Sequence, residues 1–189
     1  MADAVTSETL VDGPHNLVMR FRNVSDGSGE SAVAKVDASI GSDMKRVPAE
    51  AKELEQMGYS GLRIAELNHD PFMPLAIAAS QTESIELITS VAVAFSRNPM
   101  SMATLAHDLN AFSNGRFILG LGSQVKPHIE RRFSMPWYKA AAQMREFIEA
   151  MQAIFSCWYD GERLAYEGEY YQHTLMPATF KPDAQGHIR

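Results

Sequence analysis

The chain has little cysteine, no long apolar run and no excess of positive charge. Cys157 is its only cysteine, which excludes an internal disulfide and any metal cluster built on cysteines. No stretch approaches the roughly 18 consecutive apolar residues that mark a transmembrane helix. No basic region followed by an apolar stretch opens the sequence, so no signal peptide is expected. Lys and Arg number 17 against 23 Asp and Glu, a net charge of −6, which argues against a general nucleic-acid surface. The histidines and acidic residues show no tight ligand spacing, so no metal is expected. These absences suit a soluble cytoplasmic protein, with neither nucleic acid nor membrane expected as partner.

What is present is a globular composition, 46% hydrophobic over 189 residues, enough for one domain with a sizeable core. Residues 1–34 are punctuated by Gly13, Pro14, Asp26, Gly27, Ser28 and Gly29. They read as a flexible leader in which Leu17–Phe21 could form a short strand. From residue 35 a regular alternation begins. Strands are predicted over 35–40, 62–67, 85–95 and 117–121. Helices are predicted between them. Val47, Ala51, Leu54 and Met57 recur at helical spacing, with Ser42 or Asp43 as the cap and Gly58 as the stop. Pro71–Ser84 and Pro99–Phe112 each carry proline at the start, where a missing N–H is harmless. Units of about 25–30 residues with short connections predict right-handed βαβ crossovers.

Beyond Gln124 the pattern changes. A long helix is predicted from Pro136 through Trp158, with Ala141, Met144, Phe147, Ile148, Met151, Ile154 and Phe155 on its apolar side. Arg163–Leu175 reads as a hairpin turning at Glu167-Gly168. The tail shows no convincing element.

The chemistry-bearing residues cluster where predicted strands end, which is where parallel α/β enzymes build their sites. His69 can act as acid, base or donor near neutral pH. Asp70 can orient it, or cap the helix that follows. Ser96 and Asn98 could meet a ligand or cap the next helix. Gly120-Leu121-Gly122-Ser123-Gln124 lets backbone approach a phosphate or a flat ring, or is simply a tight turn. It is not a dinucleotide fingerprint, because Val125 stands at the third glycine position and no acidic residue follows at the right distance. Lys126, His128, Arg131 and Arg132 could receive an acidic ligand tail or form a solvated surface. His107 and Asp108 fall inside a helix and read as structural, and Cys157 reads as buried packing.

Taken together, these segments resemble the luciferase-like monooxygenase superfamily, in its coenzyme F420-dependent branch. The resemblance rests on Ala65-Glu66 with His69-Asp70-Pro71-Phe72, on Thr89 through Pro99, and on Ser113 through His128. Ile129 through Phe133 and Met135-Pro136-Trp137 extend it, and it covers roughly residues 35–181. It implies a TIM-type (β/α)8 barrel with the cofactor at the carboxyl ends of the strands. It implies F420 as cofactor, with FMN as the alternative, and hydride transfer or monooxygenation of a small organic substrate. It places His69 and Asp70 against the reactive ring as catalytic residues. It assigns cofactor contacts to Glu66, to Ala94, Phe95 and Ser96 at a bulge or unusual peptide ending the third strand, and to Gly122, Ser123 and Gln124.

A closed barrel of this type needs eight strands and about 250 residues. The sequence offers the first four βα units plus a helical and hairpin insertion, a partial barrel. The expected domains are a leader at 1–34, the half-barrel at 35–181 and a tail at 182–189. A truncated oxidoreductase is one reading. An inactive half-barrel or dimerising interaction module is the other, because a lone open sheet favours association. Its partner would be a second copy in a homodimer or the missing C-terminal half.

Overall fold

The computed structural model describes residues 9–11, 17–21 and 34–183. The chain divides into two compact units, residues 1–88 and 89–189.

The first unit is a sheet with two helices. Its strands are β1 (Thr9–Val11), β2 (Leu17–Phe21), β3 (Ala34–Ser39), β4 (Gly61–Ile64) and β5 (Glu86–Thr89, whose last residue opens the second unit), hydrogen-bonded in that order. β3 and β4 run parallel, with Asp37, Ala38 and Ser39 opposite Gly61, Leu62 and Arg63. α1 (Val47–Gln56) connects β3 to β4, and α2 (Phe72–Ala79) connects β4 to β5. This is the predicted βαβ alternation, and Leu17–Phe21, read only as a segment that could form a short strand within a flexible leader, is a strand of the sheet. The other parts of the predicted leader, and residues 184–189 of the predicted tail, lie outside the described residues.

Local chemistry explains the helix ends. The Asp43 carboxylate accepts the Lys45 N–H at 3.0 Å and its carbonyl accepts those of Arg46 and Val47, which opens α1. Val47, Ala51 and Leu54 are buried at helical spacing, as predicted. Met57, predicted on the same stripe, is 62% exposed because the helix has ended and Gly58 turns away at φ 84°. Glu55 ties the loop before β5 to α1. Its carboxylate accepts from the N–H groups of Glu83, Ser84 and Ile85 and from the Ser84 hydroxyl, at 2.7–3.0 Å for the closest oxygen. Burial raises its pKa, but these hydrogen bonds outweigh burial and hold it below the usual value.

The second unit begins with β6 (Ala92–Val93) and a 3-10 turn at Ala94–Ser96. α3 (Pro99–Phe112) follows, opened by Asn98, whose side chain accepts the Ser101 N–H at 2.9 Å. Then come β7 (Phe117–Ile118), β8 (Leu121–Gly122), α4 (Lys126–Arg131), α5 (Ala140–Tyr159) and the antiparallel hairpin β9 (Tyr166–Glu167) and β10 (Gln172–His173). β6 and β8 pair in parallel. Met102, Ala103, Ala106 and Leu109 of α3 are buried with Phe147, Met151, Ile154 and Trp158 of α5, which packs against it. At roughly 2 kcal/mol per fully buried large apolar side chain, this contact stabilises the unit.

Three expectations are corrected here. The predicted strand 85–95 is interrupted: β5 stops at Thr89, the Ser90–Val91 peptide is cis, and only Ala92–Val93 resumes. The predicted strand 117–121 is likewise split into β7 and β8. Both breaks come from long-range bonds at Gly120, which periodicity cannot register. The apolar face of α5 is also rotated from prediction. Gln143 is buried, while Ala141 and Ile148 are exposed. Gln143 is tolerated inside because its amide accepts the Tyr138 N–H and donates to the Tyr171 hydroxyl.

Candidate functional site

In the first unit the site residues sit on the loop leaving β4. The strand ends at Ile64, three residues before the predicted end, and the chain then runs exposed through Leu67, Asn68, His69 and Asp70. Asp70 Oδ1 accepts the N–H of Phe72 at 2.8 Å and of Met73 at 3.3 Å, so it caps α2. Glu66, on the same loop, is buried. His69 is exposed, and no hydrogen bond or ion pair among the described residues fixes its ring. It borders a cleft of about 200 Å³ at the carboxyl ends of β3 and β4, walled by Ser39, Ile40, Arg63, Ile64 and Asn68. Arg63 and Ser39 were missed in the sequence. The signal was there, since Arg63 is a charged residue inside an otherwise apolar strand.

In the second unit the candidates separate by exposure. Ala94 is fully buried and Phe95 is 1% exposed, packed edge-to-face on Trp137 at 5.6 Å. Their side chains are core, which leaves only backbone for a ligand. The 3-10 turn occupies this segment, and the unusual peptide lies earlier, at Ser90–Val91. The Ser96 hydroxyl donates to the Val93 carbonyl at 2.8 Å and accepts from Arg97 at 3.1 Å. Val91 is an exposed apolar residue, at 42%, that sequence reading did not single out.

Gly120 and Gly122 owe their place to packing within the chain. A Cβ at Gly120 would fall on the Thr89 carbonyl oxygen, and one at Gly122 would lie 2.5 Å from a methyl of Val91. Neither glycine adopts the left-handed conformation. The left-handed residue here is Gln124, at φ 61°. Its side-chain oxygen accepts the Val125 N–H at 3.1 Å and lies 3.2 Å from His128 Nδ1. The Ser123 hydroxyl donates to the Gln124 carbonyl at 3.0 Å. Gly122, Ser123 and Gln124 are all half-buried.

The remaining candidates are explained by structure. Lys126 reaches Glu130 at 3.7 Å on an exposed turn, and Arg132 lies over the Phe133 ring. His107 is buried in α3, with Nδ1 2.9 Å from the Tyr159 hydroxyl. Cys157 is buried and free. Among the described residues no group of three or more His, Cys, Asp or Glu side chains gathers as a metal site. Among them, too, no helix is long and apolar enough to cross a membrane.

Comparison with known proteins supports the same fold. The family pattern described as luciferase-like monooxygenase matches residues 19–188. An uncharacterized protein of Mycobacterium tuberculosis, Rv1360, is 50% identical over 151 residues, 80% of this chain and 44% of its own. The 5,10-methylenetetrahydromethanopterin reductase of Methanolobus tindarius is 30% identical over 133 residues, 69% of this chain and 39% of its own. Among solved structures, monooxygenase RslO1 from Streptomyces bottropensis aligns with a TM-score of 0.65 at 22% identity, over 77% of this chain and 46% of that one. The coenzyme F420 dependent tetrahydromethanopterin reductase from Methanopyrus kandleri aligns with a TM-score of 0.59 at 20% identity, over 72% of this chain and 42% of that one. The chain therefore spans less than half the length of the relatives it matches. An α/β fold of leading βα units, matched by one family pattern along most of its length, makes this chain a member of the luciferase-like monooxygenase family.

Proposed function

We propose that this chain carries part of the substrate and cofactor rim of an oxidoreductase that uses coenzyme F420, with FMN as the alternative. The carrying observation is His69, exposed and unpinned beside a cleft at the carboxyl ends of β3 and β4. That is where barrel enzymes of this architecture react. The cleft, about 200 Å³, is smaller than the roughly 300 Å³ at which pockets for drug-sized ligands begin. It suits a small organic substrate or one edge of a ring system, not a whole cofactor.

F420 would supply hydride transfer when bound, and FMN would supply monooxygenation. A family relative is a reductase described as F420 dependent, and a structural neighbour is a Baeyer–Villiger monooxygenase in complex with FMN, so both cofactors stay in play. In this reading His69 gives or takes the proton that the substrate exchanges, at one of its ring nitrogens. Asp70 and Glu66 act on the loop: Asp70 anchors it to α2, and Glu66 is its buried residue. Gly122, Ser123 and Gln124 would meet the cofactor through half-buried backbone and side chains, and Ser96 with the backbone of Ala94 and Phe95 would support it.

A second reading is favoured by the coverage: the chain spans 44% of a 50%-identical relative. In that reading it is an interaction module that retains the fold and binds no cofactor, its partner a second copy or a complementary half. Titration of the full chain with F420 and with FMN, followed by cofactor fluorescence, separates the two. Saturable quenching supports the oxidoreductase reading. No binding of either cofactor at high concentration removes it and leaves the module.

A further inference from the structure

In a (β/α)8 barrel the first strand is paired on both edges by parallel strands, because closure brings the last strand against it. β3 is the first strand of the βα series in this chain, and β4 lies parallel on one edge. The other edge is taken by β2, running antiparallel, with Val18, Met19, Arg20 and Phe21 opposite Asp37, Val36, Lys35 and Ala34. β1 then pairs antiparallel with β2.

Strand geometry shows which backbone groups this engages. The Val36 carbonyl accepts from Ser60 N–H at 2.7 Å, and Ile40 N–H donates to Arg63 at 3.0 Å. Even-numbered residues of β3 therefore turn their backbone toward β4. Odd-numbered ones, Lys35 and Asp37, turn theirs toward β2, opposite Arg20 and Val18. Without β2 those groups would form an open, barrel-type edge, a ready template for another strand. With it, the outermost strand among the described residues is β1, of which three residues are described. A very short terminal strand is a known way of blunting an edge against strand addition.

We propose that β1 and β2 are a built-in guard on the outer edge of β3, holding the place that a closing strand would need. The guard keeps a second copy of this chain from adding a strand there. A complementary half can close against β3 only by displacing β2.

The test uses the full chain and a full-chain V18P/R20P variant, because proline removes the N–H and cannot hold this ladder. Hydrogen exchange is read at the Lys35 and Asp37 amides, with α3 amides as the internal standard, and mass is followed by sedimentation. In the native chain both amides are protected and the β3 edge adds no second copy. In the variant their protection falls by about tenfold or more while α3 stays protected, and the mass shifts toward a dimer. Lys35 and Asp37 exchanging at random-coil rates in the native chain would overturn the proposal, whatever the variant does. Lost protection without a gain in mass would also overturn it, since the edge would then need no guard. If V18P/R20P does not fold, Arg20→Pro alone is read by the same two criteria.

Discussion

The Thr89 hydroxyl meets Gly120 twice: it donates to the Gly120 carbonyl and accepts the Gly120 N–H, both at 2.9 Å. The same carbonyl also accepts the Ala92 N–H at 2.8 Å. Thr89 is fully buried, so both bonds are made away from water. The Gly120 carbonyl thus joins the Thr89 side chain before the Ser90–Val91 link to the Ala92 backbone after it, and the Thr89 hydroxyl holds the turn between β7 and β8.

Removing that hydroxyl without changing shape isolates its role. Thr89→Val should cost about 1–3 kcal/mol, because the Gly120 N–H is left without its partner. Thr89→Ser keeps the hydroxyl and should recover most of the loss. Denaturant midpoints of the three proteins decide it, and equal midpoints for Val and Ser would mean that packing, not the clasp, matters.

The glycines at 120 and 122 should differ in tolerance. Gly120→Ala drives a methyl onto the Thr89 carbonyl, a backbone atom that cannot yield, and should be strongly destabilising. Gly122→Ala meets only the Val91 side chain, which can rotate toward solvent, and should cost less. Thermal melts of both variants check the order.

Glu55 predicts a pH dependence. Its pKa is lowered by folding, so the stabilisation it brings is fully present above its unfolded value near 4.5 and is lost as pH falls through the folded value. Glu55→Gln should weaken the chain at neutral pH and flatten its loss of stability as pH falls below about 4.5. Parallel acid-side curves for the two proteins would show that Glu55 does not carry the effect.

Gly168, in the turn of the hairpin, should resist substitution for a reason outside the hairpin. Glu146 accepts the N–H groups of Glu169 and Tyr170, at 3.1 and 2.8 Å, and its carboxylate fills the space a Cβ at Gly168 would need. Gly168→Ala should release the hairpin from α5, read as faster exchange at Glu169 and Tyr170 with α5 itself unchanged.

Much of this was legible where chemistry is local. Asn98 with Pro99 predicted the start of α3, Asp70 the start of α2, and His69 stood out because it follows a strand. What was hidden depends on partners far along the chain. Nothing around residues 85–95 reveals that Thr89 will bind Gly120 and end the strand. The Gly-x-Gly segment looked like a ligand cradle, yet its glycines make room for Thr89 and Val91. Gln143 reads as a surface residue until Tyr138 and Tyr171 are placed against it. Phe95 looked like part of the rim, and Trp137 makes it core.

His69 is expected to affect chemistry far more than folding, since an exposed loop residue contributes little packing. On the oxidoreductase reading proposed above, His69→Ala should lower turnover by about 10²-fold or more, the scale of general acid–base catalysis, with little change in melting temperature. Equal losses of activity and stability would make the residue structural.

The most direct measurement is the imidazole spectrum of the full chain during F420 titration. The account predicts that the His69 ring resonances shift saturably with added cofactor while those of His107, buried in α3, stay in place. Cofactor binding that leaves His69 unmoved would contradict it.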